Sequence, residues 1–297
     1  MGVKVALIGV GRIGSIHLRN IVRLRNEGLV DEVIAVDADP SRLGEARSMG
    51  ADDALDSIDA ALVRHPEAVI IATPTNTHYE LAMKLISKSH LLIEKPATAT
   101  LSEAINLLNE AKKSGNLVIP GMVERFNETV NEALSMVKEP VAVSMVRIGP
   151  TPRNPDQYLG VVYDLAIHDL DLALMVTKPI KAVVSRTMIN MYDSNILLDL
   201  DGVSVSIKSK WVSAGKMRVH VYVNPNSVTV ADLVNHVVYS NGEVKHVEQR
   251  EEPIYLEDRN FIEAAMGKAK PFSTLLDHIK CLRIIEAAQK GMTLVAL

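Results

Sequence analysis

The stretch VALIGVGRIG, residues Val5–Gly14, decides the fold expected for the first part of this chain. It places Gly9, Gly11 and Gly14 in the pattern G-x-G-x-x-G, after an apolar run and at the start of a segment that suits a helix. Gly9 permits a tight turn, Gly11 lets the backbone approach a pyrophosphate, and Gly14 lets the helix pack close to the strand. Backbone N–H groups at the helix N-terminus then bind phosphate. The stretch therefore predicts a dinucleotide-binding domain.

A second signal follows in VIAVDADP, residues Val33–Pro40, where Asp37 ends an apolar run. An acidic residue at about this spacing after the glycines binds the adenosine ribose hydroxyls of a dinucleotide. Because a carboxylate repels the extra phosphate of NADP, we expect NAD as the cofactor. The positive charge of the nearby Arg42 weakens this preference. The alternative is a glycine-rich turn followed by an Asp that caps a helix. Arg12 and Ile13 complete the expected cofactor loop.

Short apolar runs alternate with helical stretches through residues 1–121, which predicts a doubly wound parallel sheet of the α/β class. The expected strands are Val3–Ile8, Val33–Val36, Ala68–Ala72, His90–Ile93 and Leu117–Ile119. The expected helices are Arg12–Glu27, Ser41–Met49, Thr77–Ser87 and Leu101–Lys113.

Residues 122–297 have a different pattern and predict an α+β domain with a large open antiparallel sheet. VSVSIKSKW (Val203–Trp211) and MRVHVYV (Met217–Val223) alternate strictly between apolar and polar positions. Asp201-Gly202 and Asn241-Gly242 are typical of hairpin turns between such strands. Two helices are expected near the C-terminus, and the second should pack near the first domain: Asp258–Met266 and Thr274–Lys290.

Composition narrows the class of protein. A chain of 297 residues is longer than one hydrophobic core usually supports, which agrees with two domains. The net charge is −4 with both signs mixed, so we expect no nucleic-acid or membrane partner. The single cysteine, Cys281, excludes an internal disulfide framework and a Cys-rich zinc site. No signal peptide or spanning segment is recognisable, which predicts a cytoplasmic protein.

A second expected strand end carries polar residues in ATPTNTHYE. Thr73, Pro74, Asn76 and His78 follow the strand at residues 68–72. Dinucleotide sites lie at the carboxyl ends of parallel strands, so these residues are candidates for contacts to the nicotinamide ribose. Asn76 or Thr77 could instead simply cap the next helix.

A third strand end reads LLIEKPATAT and brings Glu94, Lys95 and Pro96 to the same edge. Lys95 would project into a cleft between the domains, where a lysine can hydrogen-bond a substrate oxygen or stabilise an alkoxide. We predict a cis peptide bond between Lys95 and Pro96. The alternative is a surface lysine before a turn.

The segment GVVYDLAIHDLDLALM, Gly160–Met175, places four ionisable groups in an apolar stretch. On a helix Asp164, His168 and Asp171 share one face, whereas Asp169 points elsewhere and is structural or solvent-facing. His168 could accept a hydroxyl proton, and Asp164 could orient the ring or bind substrate. The other interpretations are a metal site, which no further His or Cys motif completes, and a buried histidine satisfied by its neighbours.

Together, GVGRIG, VDADP, TPTNTH, EKP and DLAIHDLD resemble the Gfo/Idh/MocA oxidoreductase family. The resemblance implies a Rossmann domain that binds NAD(P) and a second domain whose sheet often forms a homo-dimer or homo-tetramer. It also implies that Lys95, Asp164 and His168 are the catalytic residues, with no metal. The expected reaction moves a hydride between a sugar secondary alcohol and nicotinamide.

Within the family, VERFNE, RIGPTPRNP and WVSAGKMRVH resemble the UDP-N-acetylglucosamine 3-dehydrogenase group, whose substrate is oxidised at C3. The alternatives are an inositol or aldose dehydrogenase of the same family and a non-catalytic dinucleotide-binding regulator. In addition to Lys95, Asp164 and His168, the residues expected to contact the diphosphate or sugar are Arg125, Arg147, Arg153, Lys216 and Arg218. Each of these could instead be an ordinary charge on the surface or on a strand face.

Overall fold

The computed structural model describes residues 2–297 apart from the side chain of Asp156, and these residues form two compact units. The first unit consists of residues 2–122 and Ile254–Leu276. The second consists of Val123–Pro253 and Asp277–Leu297. The segment Ile254–Leu276 thus belongs to the first unit, whereas the sequence-based division assigns it to the second domain. Periodicity identifies a helix but does not show which core its apolar face joins.

The elements of residues 2–122 alternate between strand and helix. The strands are β1 (Val3–Ile8), β2 (Val30–Val36), β3 (Asp53–Leu55), β4 (Ala68–Ile71), β5 (His90–Ile93) and β6 (Val118–Pro120). The helices are α1 (Arg12–Asn26), α2 (Pro40–Ser48), α3 (Ile58–Leu62), α4 (Thr75–Leu85) and α5 (Leu101–Ser114). The described strands pair in parallel in the order β3-β2-β1-β4-β5-β6, which confirms the doubly wound sheet.

The core of the first unit forms where the strands meet α1 and the returning C-terminal segment. Leu18, Ile21 and Leu24 recur every three residues along α1 and are fully buried. Phe261 from the returning segment lies in the same cluster as these residues. The sequence pattern misses β3 and α3, because both elements are short and interrupted by acidic residues.

The second part of the chain is dominated by strands. Its strands are β7 (Ala142–Pro150), β8 (Lys181–Ile189), β9 (Asp193–Leu200), β10 (Val203–Val212), β11 (Met217–Asn224), β12 (Ser227–Asp232), β13 (Val237–Ser240), β14 (Glu243–His246) and β15 (Leu294–Ala296). Its α-helices are α6 (Glu128–Ser135), α7 (Ile167–Thr177), α8 (Pro253–Ala265) and α9 (Leu275–Lys290). Shorter helical turns occupy Val123–Phe126, Pro155–Tyr158 and the π-helical Val162–Ala166.

The described strands of the second unit form one sheet in the order β14-β13-β12-β11-β7-β10-β9-β8-β15. Neighbours pair antiparallel except β7 and β10, which run parallel. The expectation of a purely antiparallel sheet is therefore wrong at this central pair. Alternation of apolar residues shows which face of a strand is buried, but it does not show strand direction.

The predicted hairpin turns are confirmed by their backbone. Asp201 and Gly202 have φ of 51° and 92° between β9 and β10, and Asn241 and Gly242 have φ of 52° and 86° between β13 and β14. Positive φ at both central residues is the geometry that favours Asn-Gly and Asp-Gly. Helix α7 packs against β7 and β10, which places its charged side chains against the centre of the sheet.

Candidate active site

The loop between β1 and α1 has the geometry that the glycine pattern predicts. Gly9 has φ of 93°, and a Cβ there would lie 2.7 Å from the carbonyl oxygen of Ala72. A Cβ on Gly14 would overlap the carbonyl oxygen of Gly9. At Gly11 a Cβ would meet only the flexible end of Arg42, at 3.1 Å, so the fold itself does not require a glycine there. A ligand that approaches the loop closely is the remaining reason for Gly11.

Asp37 lies beside this loop and is held in place by backbone N–H groups. Its Oδ2 accepts a hydrogen bond from the N–H of Val10 at 2.7 Å, and its Oδ1 accepts one from the N–H of Asp39 at 2.9 Å. The N-cap of α2 is Asp39, whose side chain accepts from Ser41, so the alternative that Asp37 only caps the helix is wrong. Arg42 Nη1 lies 3.6 Å from Asp37 Oδ2.

A cavity of about 320 Å³ opens at this edge of the parallel sheet. No side chain caps the N-terminus of α1 there, which leaves its N–H groups to a ligand. Residues that the sequence predicts for the cofactor and that line this cavity are Gly9, Gly11, Asp37, Arg42, Thr73 and Pro74. Arg12 is exposed and Ile13 half-buried in the first turn of α1.

Neither Asn76 nor Thr77 caps helix α4, in contrast to the capping alternative. The helix begins at Thr75 with Pro74 as its N-cap, and no side chain makes the capping hydrogen bond. Asn76 is exposed in the first turn, whereas the hydroxyl of Thr77 donates to the carbonyl oxygen of Pro74. His78 is buried, and its ring nitrogens lie 2.8 Å from the carbonyl oxygen of Thr73 and 2.9 Å from that of Pro96. His78 therefore joins two loops of the first unit.

The Glu94–Pro96 segment follows β5, and its Lys95–Pro96 peptide bond is cis, as predicted. The Oε2 of Glu94 accepts a hydrogen bond from the backbone N–H of Lys95 at 3.0 Å. Gly121 packs behind this segment, since a Cβ there would lie 3.3 Å from the Cα of Glu94. The backbone of Lys95 is thus held firmly, while its side chain is partly exposed.

A buried cluster behind Glu94 escapes sequence reasoning. His17 of α1 lies between Asp258 Oδ1, 2.6 Å from Nδ1, and Glu94 Oε1, 3.1 Å from Nε2. Burial alone would lower the pKa of His17, but the charge and hydrogen bond of Asp258, with those of Glu94, raise it well above its ordinary value. Burial, followed by the charge of Glu94, raises the pKa of Glu257 well above its ordinary value. No sequence signal links these groups, because Asp258 lies 241 residues after His17.

In the second unit, Asp164 lies in the π-helical turn and His168 in the first turn of α7. The indole Nε1 of Trp211 donates a hydrogen bond to Asp164 Oδ2 at 3.0 Å, which orients the carboxylate. Tyr158 and Tyr192 pack edge-on against Trp211, with ring centroids at 6.4 and 6.1 Å. The expectation of one continuous α-helix is wrong for the first turn, where the chain widens into a π-helix, as happens often at functional sites.

Asp169 is fully buried, so its solvent-facing alternative is wrong and its structural alternative holds. Its Oδ1 accepts from Arg147 Nε at 3.0 Å and Nη2 at 2.8 Å, and His220 Nε2 lies 3.2 Å away. Arg147 also donates to Glu124 Oε1 at 2.6 Å. Burial would raise the pKa of Asp169, but Arg147 and His220 hold it at about 2.

Asp171 forms a second buried pair, with Arg125. The Arg125 Nε donates to Asp171 Oδ2 at 2.7 Å and its Nη2 donates to Oδ1 at 2.6 Å, while Asp277 lies 3.4 Å from Nη1. Such a two-point pairing neutralises the guanidinium. The geometry therefore argues for a structural role of Arg125, and of the equally buried Arg147, in place of the diphosphate or sugar contact that the sequence predicts.

The remaining predicted cations are accessible. Arg153 and Lys216 are exposed, and Arg218 is partly exposed with Nη1 3.0 Å from Glu124 Oε1. The charge of Arg218, followed by burial, lowers the pKa of Lys216. Burial would raise the pKa of Glu124, but Arg147, His168 and Arg218 lower it far below its ordinary value. Glu124 therefore interacts electrostatically with both His168 and the accessible cations.

Neither a metal cluster nor a membrane helix is found in the described part of the chain. Within residues 2–297, apart from the Asp156 side chain, no group of three or more His, Cys, Asp or Glu side chains is placed to hold a metal ion. No helix in the same described residues is long and apolar enough to cross a bilayer.

Comparison with known proteins agrees with this geometry. Residues 3–122 match the Gfo/Idh/MocA model, which is described as an oxidoreductase family with an NAD-binding Rossmann fold. Over these residues the chain is similar to the Gfo/Idh/MocA family. The matched range includes the β1–α1 loop and Asp37, which line the cavity, and also the Glu94–Pro96 segment.

Two curated relatives of this chain are dehydrogenases. Myo-inositol 2-dehydrogenase from Thermotoga maritima is 28% identical over 186 residues, covering 57% of this chain and 53% of the relative. UDP-N-acetylglucosamine 3-dehydrogenase from Acidithiobacillus ferrooxidans is 31% identical over 182 residues, covering 59% and 54%. The matched regions span about half the length of these relatives.

A solved structure extends the likeness in fold to the second unit. UDP-N-acetylglucosamine 3-dehydrogenase GnnA from Acidithiobacillus ferrooxidans has a TM-score of 0.85 with this chain at 21% identity and covers 98% of each chain. At this identity the likeness shows the fold alone. The Rossmann domain followed by a domain with a large mixed sheet is therefore a fold that this chain shares with that solved structure.

Proposed function

We propose that this chain is an NAD-dependent dehydrogenase that moves a hydride between a sugar secondary alcohol and nicotinamide. The observation that carries the proposal is the cavity at the N-terminus of α1, where Gly9, Gly11 and Asp37 meet. Its uncapped N–H groups suit a pyrophosphate, and its carboxylate suits the adenosine ribose hydroxyls. The match of residues 3–122 to an oxidoreductase family model supports the same interpretation.

The cavity favours NAD over NADP. Asp37 is fixed by two backbone N–H groups, so its charge cannot easily move away from an additional phosphate. Arg42, which could attract that phosphate, lies within ion-pair distance of Asp37. Its charge is partly balanced there, which reduces its attraction for a second anion.

The reactive groups in this proposal are Lys95, Asp164 and His168. When bound, NAD supplies the nicotinamide that accepts the hydride from the carbinol carbon. His168 takes the hydroxyl proton as general base, and the attraction between Glu124 and His168 stabilises the positive charge that the ring gains. Asp164, oriented by Trp211, contacts the substrate or the ring, and Lys95 hydrogen-bonds the reacting oxygen. Holding these groups in one geometry supplies much of the rate.

The accessible cations favour a nucleotide sugar, such as UDP-N-acetylglucosamine oxidised at C3. Arg218 is close enough to Lys216 for its positive charge to lower the pKa of Lys216. Such a lowered pKa indicates that the two like charges repel each other. A diphosphate bound beside them would relieve this repulsion. An uncharged inositol or aldose would leave it in place. The inositol alternative is kept because one relative is a myo-inositol 2-dehydrogenase.

The experiment that tests the proposal is nicotinamide fluorescence of purified protein with NAD and a panel of alcohols. Turnover of UDP-N-acetylglucosamine and not of myo-inositol or free aldoses supports both the reaction and the substrate. Turnover of inositol or aldoses alone retains the dehydrogenase but rejects the nucleotide sugar. Cofactor binding without turnover of any member of the panel rejects the proposal and favours a dinucleotide-binding regulator. The predicted homo-oligomeric state can be measured on the same sample by light scattering.

Variants then test the individual roles. Removing a general base or its partner typically lowers turnover about 10²- to 10⁴-fold, so we expect losses in this range for His168→Ala and Lys95→Ala with NAD binding unchanged. Lys216→Ala should raise KM for the UDP-sugar and leave turnover at saturation nearly unchanged. Lys88→Ala and Lys208→Ala, which remove exposed lysines elsewhere, are the matched controls. Near-normal turnover in His168→Ala or Lys95→Ala contradicts the assigned role.

A further inference from the structure

The buried cluster behind Glu94 has no part in the reaction as described above. It consists of His17 and Asn20 of α1, Glu257 and Asp258 of α8, and Glu94 after β5. His17 and Asp258 are fully buried, and Glu257 is 2% exposed. Burying ionisable groups costs free energy unless they are paired. A cluster of this kind at the end of a strand that carries a proposed catalytic lysine calls for a physical explanation.

A continuous series of hydrogen bonds connects α1 and α8 to Lys95. Asn20 Nδ2 donates to Asp258 Oδ2 at 2.8 Å, and Asp258 Oδ1 lies 2.6 Å from His17 Nδ1. His17 Nε2 lies 3.1 Å from Glu94 Oε1. The other oxygen of Glu94 accepts the backbone N–H of Lys95. Each side chain in this series therefore fixes the position of the next one, and the last hydrogen bond fixes the backbone of Lys95.

His17 has one protonation state that satisfies both neighbours. A neutral imidazole donates from one nitrogen only, whereas the imidazolium donates from both. Both ring nitrogens of His17 face carboxyl oxygens, so the imidazolium is the form that donates to both when the two carboxyl groups are ionised. The raised pKa of His17, caused by Asp258 and Glu94 against burial, agrees with this state.

The positive ring keeps Glu94 ionised in a place where burial opposes ionisation. Burial would raise the pKa of Glu94, but the hydrogen bond and charge of His17, followed by the charge of Lys95, lower it. Glu257, close enough to Glu94 for their charges to interact, has a raised pKa, caused first by burial and then by the charge of Glu94. Of these two carboxyl groups, Glu94 is the one whose oxygens lie next to His17 Nε2 and accept the Lys95 N–H.

We propose that His17 and Asp258 are positioning residues, which fix Glu94 and through it the Lys95 segment for the reaction. This inference rests on the proposed function. Displacements on the order of 1 Å at a reacting group can lower the rate roughly 10²-fold, so a fixed backbone at Lys95 has a direct effect on turnover. The dinucleotide cavity has no lining residue from this cluster, so cofactor binding should not depend on it.

The test compares three variants that remove one polar group each. His17→Leu removes both hydrogen bonds, His17→Gln keeps a donor without the charge, and Asp258→Asn keeps the shape. Tyr255→Phe is the matched control, because Tyr255 is buried one turn before Asp258 and its hydroxyl donates to Glu27, outside the cluster.

We expect His17→Leu and Asp258→Asn to lower turnover at saturation by roughly 10- to 100-fold with the NAD dissociation constant within about threefold of the wild type. His17→Gln should recover part of the loss, and Tyr255→Phe should be near normal. Equal losses in Tyr255→Phe, or unchanged turnover in a folded His17→Leu protein, would overturn the proposal.

A second measurement needs no substrate and separates this inference from the proposed function. Hydrogen exchange of the Lys95 amide should speed up at least about tenfold in His17→Leu, because Glu94 no longer holds it, while the Leu92 amide in β5 stays protected. Ring ¹⁵N spectra should show both His17 nitrogens protonated in the wild type at neutral pH. Wild-type protein without turnover but with both signatures rejects the enzyme and not the cluster. Equal acceleration at Lys95 and Leu92, or a neutral His17 ring, rejects the positioning role itself.

Discussion

The two units bury ionisable groups in opposite ways. In the first unit, the carboxyl groups of Glu94, Glu257 and Asp258 surround one imidazole, and burial raises the pKa of Glu257 and Asp258. In the second, Glu124 and Asp169 face Arg147, and despite burial their pKa values lie well below the ordinary range. Guanidinium groups stay charged at every ordinary pH, whereas carboxyl groups and imidazoles exchange protons. The first cluster is therefore able to respond to pH, and the second acts as a fixed support.

The fixed support explains why α7 carries so many charges. Asp169 and Asp171 bind Arg147 and Arg125 within the second unit, and both pairs are buried. These pairs hold the helix in one rotational position against the sheet. Asp164 and His168 are then presented in a fixed geometry, as catalytic groups require.

The largest effect is expected from breaking the fixed support. Arg147→Met removes the fully buried guanidinium from Asp169 and Glu124, which leaves Asp169 with His220 and Glu124 with Arg218, and breaking such a buried pair costs about 3–5 kcal/mol of unfolding free energy. Urea unfolding of the second unit can be followed through the fluorescence of Trp211, the one tryptophan of the sequence. Arg147→Lys, which keeps the charge, should lose less. Equal stability of Arg147→Met and the wild type would contradict the comparison.

A smaller effect is expected from Arg125→Met. Asp171 already has a pKa raised by burial, so it can take up a proton when its partner is removed, and we expect a loss of about 2 kcal/mol. The KM for the substrate should stay the same, because Arg125 acts within the fold. A raised KM at unchanged stability would return Arg125 to the substrate-binding residues predicted from sequence.

We expect the buried cluster around His17 to make the first unit less stable at alkaline pH. His17 has a raised pKa, so its contribution is complete below its ordinary value of 6.5 and is lost as pH rises through the raised value. Glu257 also has a raised pKa, so its deprotonation destabilises the fold as pH rises above its ordinary value of 4.5. Glu257→Gln should therefore gain about 1 kcal/mol near pH 8 relative to the wild type, with little change near pH 5.

Urea titrations monitored by circular dichroism between pH 5 and pH 9, a range that spans roughly two units on each side of neutrality, provide the measurement. A parallel pH profile in wild type and Glu257→Gln would show that Glu257 does not titrate in this cluster. Asp169, with a pKa of about 2, gives a contrasting reference in the second unit, since its contribution is lost only in strong acid.

The smallest effect is expected at the surface. Lys210 pairs with Asp193 at 2.9 Å, but its side chain is 44% exposed. Exposed pairs contribute little, so Lys210→Met should cost at most about 0.5 kcal/mol, and less at high salt. A loss as large as that of Arg125→Met would mean that burial does not separate the two kinds of charge pair.

Local patterns in the sequence predict much of the fold. The strands Val3–Ile8 and His90–Ile93 have the predicted bounds, because apolar runs bounded by turn residues carry their own signal. The glycine loop and the two hairpin turns are confirmed for the same reason. The parallel pairing of β7 with β10 and the return of Ile254–Leu276 to the first unit depend on contacts between distant residues, which periodicity does not record.

The candidate site divides in the same way. Gly9, Gly11, Asp37 and Thr73 are found from motifs and meet in one cavity. The sequence offers Arg125 and Arg147 as substrate contacts because a charged residue in a sequence does not reveal its countercharge; in the structure both are buried in ion pairs. His17 and Asp258 are missed because their contact joins residues 241 positions apart. A buried histidine three residues after the last glycine of the loop is the one local hint that sequence reasoning could have used.

The return of Ile254–Leu276 to the first unit has a consequence for biosynthesis. A ribosome releases residues 2–122 long before it makes the segment that carries Asp258 and Phe261. During that interval His17 lacks its partner Asp258, and the part of the first core that Phe261 joins is incomplete. Residues Val123–Pro253 of the second unit are synthesised before this segment. The core of the first unit is therefore completed only after most of the second unit has been synthesised.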